Sequence, residues 1–168
     1  NDGFKTMVTC VRDAVKSVGC RPLYGGDAGQ PSRIPPTQDI NEMLHMETTM
    51  GCVISYLSGG IEAYKRAGTK IPFKGIAYVG DSDFFHSALP GICEAASKNL
   101  PILMLLVDNQ GAVSTGKQPH HGMKISSEIR PLSIKKILQA MEVSFLEEGY
   151  TKDKKDLTEK IISGLKYD

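Results

Sequence analysis

The sequence predicts an α/β fold built on a mostly parallel sheet with helices on both faces. The apolar run Gly75-Ile76-Ala77-Tyr78-Val79 is followed by an amphipathic stretch from Phe84 to Leu100, then by a second apolar run from Ile102 to Val107. Strand, helix, strand with uninterrupted apolar strands is the pattern of parallel strands covered on both sides. Each run ends on a polar cluster, Gly80-Asp81-Ser82-Asp83 and Asp108-Asn109-Gln110-Gly111. Open α/β sheets take their ligands beyond such carboxyl ends.

The elements follow in order. Met7, Val8, Cys10, Val11, Val15 and Val18 recur near the helical period and stop at Gly19, which reads as a first helix. Cys20 to Tyr24 reads as a short strand running into the turn-rich stretch Gly25-Gly26-Asp27-Ala28-Gly29. Pro31, Pro35 and Pro36 keep the chain after it extended and irregular. A longer helix is expected over Gly51 to Ala67, with Val53, Ile54, Leu57, Ile61 and Tyr64 on its periodic positions. Its internal Gly59-Gly60 costs helix propensity, so something packs close there, a backbone or a bound group. After the strand–helix–strand unit comes the polar loop 108–123, a helix over Ser133 to Met141, a strand over Val143 to Leu146 and a last amphipathic helix over Lys154 to Leu165. The total is about five strands with right-handed crossovers.

A chain of 168 residues is long enough for one domain with its own core, here residues 1–168. Twenty basic against nineteen acidic residues leave a net charge of +1, which removes the electrostatic case for a nucleic-acid binder. No apolar run approaches the roughly 18 residues of a membrane span. Cys10, Cys20, Cys52 and Cys93 form no Cys-x-x-Cys pair, so a zinc ribbon or iron–sulfur cluster has no support and buried free thiols are expected. The amino terminus lacks a secretory pattern, so the expected location is the cytoplasm. A start at Asn1 fits a chain that was processed, trimmed or cut from something larger.

If the two strands are neighbours, Asp81 and Asn109 lie side by side. A carboxylate and an amide oxygen beside a phosphate make a hard-oxygen site for Mg2+, and the amides that open the next helix suit the phosphate. The same residues also make an ordinary helix cap and turn. On the residues alone both readings stand.

The intervening residues extend the pattern. Gly80-Asp81-Ser82-Asp83-Phe84-Phe85-His86-Ser87, Leu106-Val107-Asp108-Asn109 and Ser114-Thr115-Gly116-Lys117-Gln118-Pro119-His120 closely resemble the thiamine-diphosphate-binding domain of indolepyruvate and other 2-oxoacid:ferredoxin oxidoreductases. The resemblance is strong over 75–122 and looser from about residue 5 onward, where His45 to Ala63 and Pro131 to Leu146 follow the family in order and length. It implies the thiamine-diphosphate-binding fold. It also implies Mg2+ held by Asp81, Asn109 and the Gly111 carbonyl, with Gly80, Ser82, Val113, Thr115 and Gly116 beside the cofactor. Ser114, His120 and His86 are the implied catalytic candidates, and Gln118 a further contact to the oxoacid. For the histidines a packed His86 and a solvated His120 and His121 are the plain alternatives.

The chain departs from the family in places. The CPGC segment usual before the first helix is replaced by Gly3-Phe4-Lys5-Thr6-Met7, and the cysteine-rich cluster module has no counterpart. Lys117 stands where His is frequent, Asp83 where Thr is, and His121 where Pro is. The last helix is followed by three residues where the family adds a core strand, which implies a sheet truncated at its carboxyl-terminal strand. In this family a glutamate on a separate pyrimidine-binding domain activates the cofactor. Glu47, a helix-cap candidate, and Glu62, on a solvated helix face, are not assigned that role. The resemblance therefore implies oxidative decarboxylation of a 2-oxoacid within a homo- or hetero-oligomer, with a pyrimidine-binding partner and an iron–sulfur cluster only in a partner, such as a ferredoxin. The chain alone is expected to be inactive. A non-oxidative thiamine-dependent decarboxylase subunit and a non-catalytic binding domain are the alternatives.

Overall fold

Among the residues described by the computed structural model, 2–29, 43–68 and 73–167, four strands form one parallel sheet in the order β2-β1-β3-β4. The strands are β1 (Arg21–Asp27), β2 (Met46–Thr48), β3 (Phe73–Gly80) and β4 (Ile102–Val107). The helices are α1 (Asp2–Val18), α2 (Val53–Arg66), α3 (Asp81–Asp83), α4 (Leu89–Ser97), α5 (Ile134–Ala140) and α6 (Lys154–Lys166). A π-helical turn, Phe84–Ala88, joins α3 to α4.

Alternation along β3 divides the core between the two faces of the sheet. Ile76 and Tyr78 pack with Phe4, Met7, Val11 and Ala14 of α1 and with Ile161 and Leu165 of α6. Ala77 and Val79 face the other way, onto Val53, Ile54 and Leu57 of α2, Ile92 of α4 and Leu138 of α5. Full burial of a side chain such as Ile76 or Leu57 stabilises the fold by about 1.5–3 kcal/mol. β4 is divided in the same way, with Leu103 and Leu105 on the first face and Met104 and Leu106 on the second. Its residues are nevertheless only half-buried, because among the described residues it pairs with β3 alone.

The two-sided parallel sheet agrees with the sequence expectation, while several elements differ from it. Gly25, Gly26 and Asp27 belong to β1 and are not a turn. Their glycines let α2 press onto the strand: a Cβ on Gly25 would meet Val53 Cγ2 at 2.6 Å. The three-residue β2 pairs Glu47 with Gly26, so Glu47 is a strand residue and no helix cap. Cys52 occupies the N-cap of α2.

Val143 to Leu146 is not a strand. The chain leaves α5 through Glu142 at φ +57, and Val143 and Leu146 bury against the second core cluster without a ladder to β4. Among the described residues no backbone lies against Gly59-Gly60; the close neighbour is a side chain, and at one of the two glycines only. Gly60 lies against Leu23, whereas Gly59 faces open space. All four cysteines are free, but only Cys10 is buried and Cys93 is exposed. Pro31, Pro35 and Pro36 lie outside the described residues.

Candidate functional site

β3 and β4 end side by side, with Gly80 in register with Val107. The residues that follow, Asp81 on one strand and Asp108-Asn109 on the other, therefore meet at the carboxyl edge of the sheet. Asp81 is buried there. A buried carboxylate must be supplied with donors, and these come from the neighbouring loop. Asp81 Oδ2 accepts the amides of Asn109 and Gly111, both at 3.1 Å, and Oδ1 accepts the Ser82 amide at 2.7 Å. The carboxylate thus stitches the end of β3 to the end of β4. Of its four lone-pair positions, one on Oδ1 has only the Ser82 hydroxyl at 3.4 Å. Beside it, the buried side-chain oxygen of Asn109 has no hydrogen-bond partner among the described residues. The Gly111 carbonyl accepts the Val113 amide at 2.8 Å, which leaves its second lone pair.

These groups open onto a cleft. Gly80, Asp81, Ser82, Asn109 and Gly111 form one side, and the 3-10 turn Val113–Thr115 closes over them. Ala28, Gly29 and Met50 complete the wall from the β1 side, with Phe4, Tyr78 and Val107 on the other face. Thus Val113, Ser114 and Thr115 all reach the cleft. Gly116 ends the turn at φ +119 and lies outside the lining. Gln118 is turned into its own loop, where Thr115 Oγ1 donates to its Oε1 and its Nε2 donates to the Thr115 carbonyl, both at 2.7 Å.

The histidines separate. His86 sits on the π-helical turn, exposed, its Nδ1 3.2 Å from the Ser87 hydroxyl and outside the cleft lining. His120 is buried behind Asp81. Its Nδ1 accepts the Gly122 amide at 3.1 Å, so in the neutral ring the proton resides on Nε2. Nε2 approaches Asp81 Oδ2 to 3.0 Å, but its N–H is not aligned on that oxygen. Phe85 stacks on the same ring at 5.1 Å and 19°. His120 therefore backs the carboxylate and does not line the cleft, while His121 is exposed at the edge of Phe85.

Two further carboxylates lie below. Asp83 Oδ2 accepts the Gly80 amide at 3.0 Å, half of a capping box whose other half glycine cannot supply. Burial pushes its carboxyl up to about 6 and the charge of Asp27 adds to this, against the pull of the Gly80 amide. Asp27, at the end of β1, is wholly buried. Its Oδ1 accepts the Val53 amide at 3.0 Å and the Thr48 hydroxyl at 3.1 Å, which ties β1, β2 and α2 together. Burial raises its pKa, and the Val53 amide and Thr48 hydroxyl oppose the rise. Sequence reasoning put Asp27 in a turn and gave no role to Phe4 or Tyr78. An acid closing an apolar strand was the one available signal for Asp27.

Among the described residues no group of three or more His, Cys, Asp or Glu side chains converges on one point. A cation at this edge would draw on amide and carbonyl oxygens as well as Asp81. No helix among the described residues is long and apolar enough to cross a membrane.

The sequence profile described as "Thiamine pyrophosphate enzyme, C-terminal TPP binding domain" matches residues 26–168. The chain belongs to this family. As a thiamine pyrophosphate enzyme domain it is 28% identical over 154 residues to the indolepyruvate oxidoreductase subunit IorA of Methanothermobacter marburgensis, covering 85% of this chain and 23% of the relative. It is 32% identical over 75 residues to the subunit of the same name from Methanothermobacter thermautotrophicus, covering 43% of this chain and 12% of the relative. The chain thus spans less than a quarter of these relatives. The fold of this TPP-binding domain is also that of a 2-oxoglutarate:ferredoxin oxidoreductase from Magnetococcus marinus, solved with 2-oxoglutarate, coenzyme A and succinyl-CoA bound. The TM-score is 0.79 at 17% identity, over 98% of this chain and 58% of the other.

Proposed function

We propose that this domain holds the diphosphate and Mg2+ of thiamine diphosphate in a 2-oxoacid:ferredoxin oxidoreductase that oxidatively decarboxylates an indole or aryl 2-oxoacid. The observation that carries the reading is the junction of β3 and β4. There the Asp81 carboxylate is braced by the Asn109 and Gly111 amides, and the buried Asn109 oxygen has no partner among the described residues. An anionic oxygen, an amide oxygen and the free lone pair of the Gly111 carbonyl are the hard ligands Mg2+ takes beside phosphates. When bound, thiamine diphosphate supplies a nucleophilic carbon and an electron sink for loss of CO2.

The chain's own residues bind and orient. Asp81 and Asn109 would hold Mg2+, whose charge would offset that of the diphosphate, and Gly80 and Ser82 would let the backbone approach it. Ser114 and Thr115 close over the cofactor. His120 packs behind Asp81, its Nε2 3.0 Å from Oδ2, and acts as a positioning residue; exposed His86 lies outside the cleft lining. Activation of the cofactor requires a glutamate from a pyrimidine-binding domain, and the electrons require an iron–sulfur acceptor, both from partners. The relatives' names support the indole preference, and their greater length supports the need for further domains.

Titration calorimetry of the full chain with thiamine diphosphate, with Mg2+ and with EDTA, tests the cofactor assignment. Binding is expected with Mg2+ only, and Asp81→Ala is expected to abolish it. Asp81→Asn keeps an acceptor for the two amides while removing the charge, and is expected to lose the Mg2+-dependent binding without losing the fold. No binding by the wild-type chain, even with a partner added, would sink the assignment. Unchanged affinity in both variants would mean the ligand set is wrong.

A further inference from the structure

We propose that Tyr78 contacts the ligand of the cleft, its hydroxyl donating a hydrogen bond to a phosphate oxygen of the bound diphosphate. This rests on the cofactor reading above and extends it to a residue outside the metal-binding pattern. Tyr78 precedes Gly80 by two positions in β3, and alternate residues of a strand share a face. Its side chain therefore stands on the face that carries Gly80 at the rim of the site. It lines the cleft with Phe4, Val107 and Asn109.

The ring is fixed from two directions. Phe4 meets it edge-on at 6.0 Å and 68°, and Tyr24 lies parallel to it at 6.3 Å. The side chain is fully buried, and its hydroxyl has no hydrogen-bond partner among the described residues. Buried hydroxyls are nearly always bonded, and leaving one unpaired is unfavourable. A phenylalanine would fill the same space between Phe4 and Tyr24 without that penalty, so packing does not account for the oxygen. A partner arriving through the cleft does.

The polarity of that partner follows from the chemistry. Burial raises the Tyr78 pKa, so the hydroxyl keeps its proton and is a donor. The cleft's other orphan, the Asn109 oxygen, is an acceptor. One unpaired donor and one unpaired acceptor suit an anion and a cation bound together, as in a metal–diphosphate pair.

The test titrates the full chain, wild type and Tyr78→Phe, with Mg2+ plus thiamine diphosphate and separately with Mg2+ plus inorganic pyrophosphate. The variant is expected to bind both about ten- to hundredfold more weakly, as for a lost hydrogen bond to a charged group. Its ligand-free melting temperature is expected to equal or exceed that of the wild type. Equal affinities in variant and wild type overturn the proposal. So does a loss confined to thiamine diphosphate, because the contact would then be to the thiamine part. A wild-type chain that binds neither probe, even with a partner added, overturns the cofactor reading itself, and that outcome does not depend on the variant. A second measurement needs no substitution: pyrophosphate binding is expected to perturb the tyrosine ultraviolet absorbance of the wild type, and a flat difference spectrum overturns the proposal.

Discussion

Asp83 sits at the foot of the site, and its surroundings set its chemistry. Burial and the Asp27 charge hold its carboxyl at about 6, above an ordinary value of 3.8. A carboxyl raised in the folded state favours the fold while protonated. Its contribution is complete below about 3.8 and is lost as the pH rises through about 6. Asp27 shifts in the same direction. Asp83→Asn keeps an acceptor for the Gly80 amide and removes the titration. Melting temperatures measured from pH 4 to pH 7 are expected to fall less steeply in this variant than in the wild type. Superimposable profiles would show that Asp83 does not titrate in this range. His120 and His86 make the complementary point. Both are histidines near the same motif, yet one is sealed behind Asp81 by Phe85 and the other stands exposed on the π-helical turn.

Contact between α2 and β1 depends on glycine on both sides, but not on every glycine. A Cβ at Gly25 would sit 2.6 Å from Val53 Cγ2, and at Gly60 3.2 Å from Leu23 Cδ2. At Gly59 it would meet nothing within 4 Å. Gly25→Ala is therefore expected to destabilise by about 1–3 kcal/mol through overpacking. Gly59→Ala is expected to stabilise by about 0.5–1 kcal/mol, since alanine is the better helix former. Chemical denaturation of the two variants checks the pair, and shifts of the same sign would refute the packing argument. The stake is functional as well as structural. Asp27 caps α2 through Val53, and the loop so anchored carries Met50 into the cleft wall.

At the scale of the whole sheet, among the described residues, β3 is paired on both sides while β4 has a partner on one. Hydrogen exchange is expected to protect β3 continuously and β4 in alternation, because successive amides of a strand point to opposite edges. Uniform protection of β4 would mean that another strand covers its outer edge. The sequence by itself determined the parallel α/β class, a helix over 51–67 and another over 154–165, found at 53–66 and 154–166, and the polar clusters with Asp81 and Asn109 that end two apolar runs. Periodicity and strand-end polarity are local properties, readable along the chain. Only the tertiary structure decided that Gly25-Gly26-Asp27 is strand and Val143 to Leu146 is not. Glycine has no strand preference of its own, and a short apolar run becomes a strand only where a neighbour completes its hydrogen bonds. The register of Gly80 with Val107 turned two clusters into one site. The position of His86 outside the cleft lining and the Tyr78 hydroxyl that lacks a hydrogen-bond partner among the described residues belong to the same level, because a side chain's partners are set by what the fold brings around it.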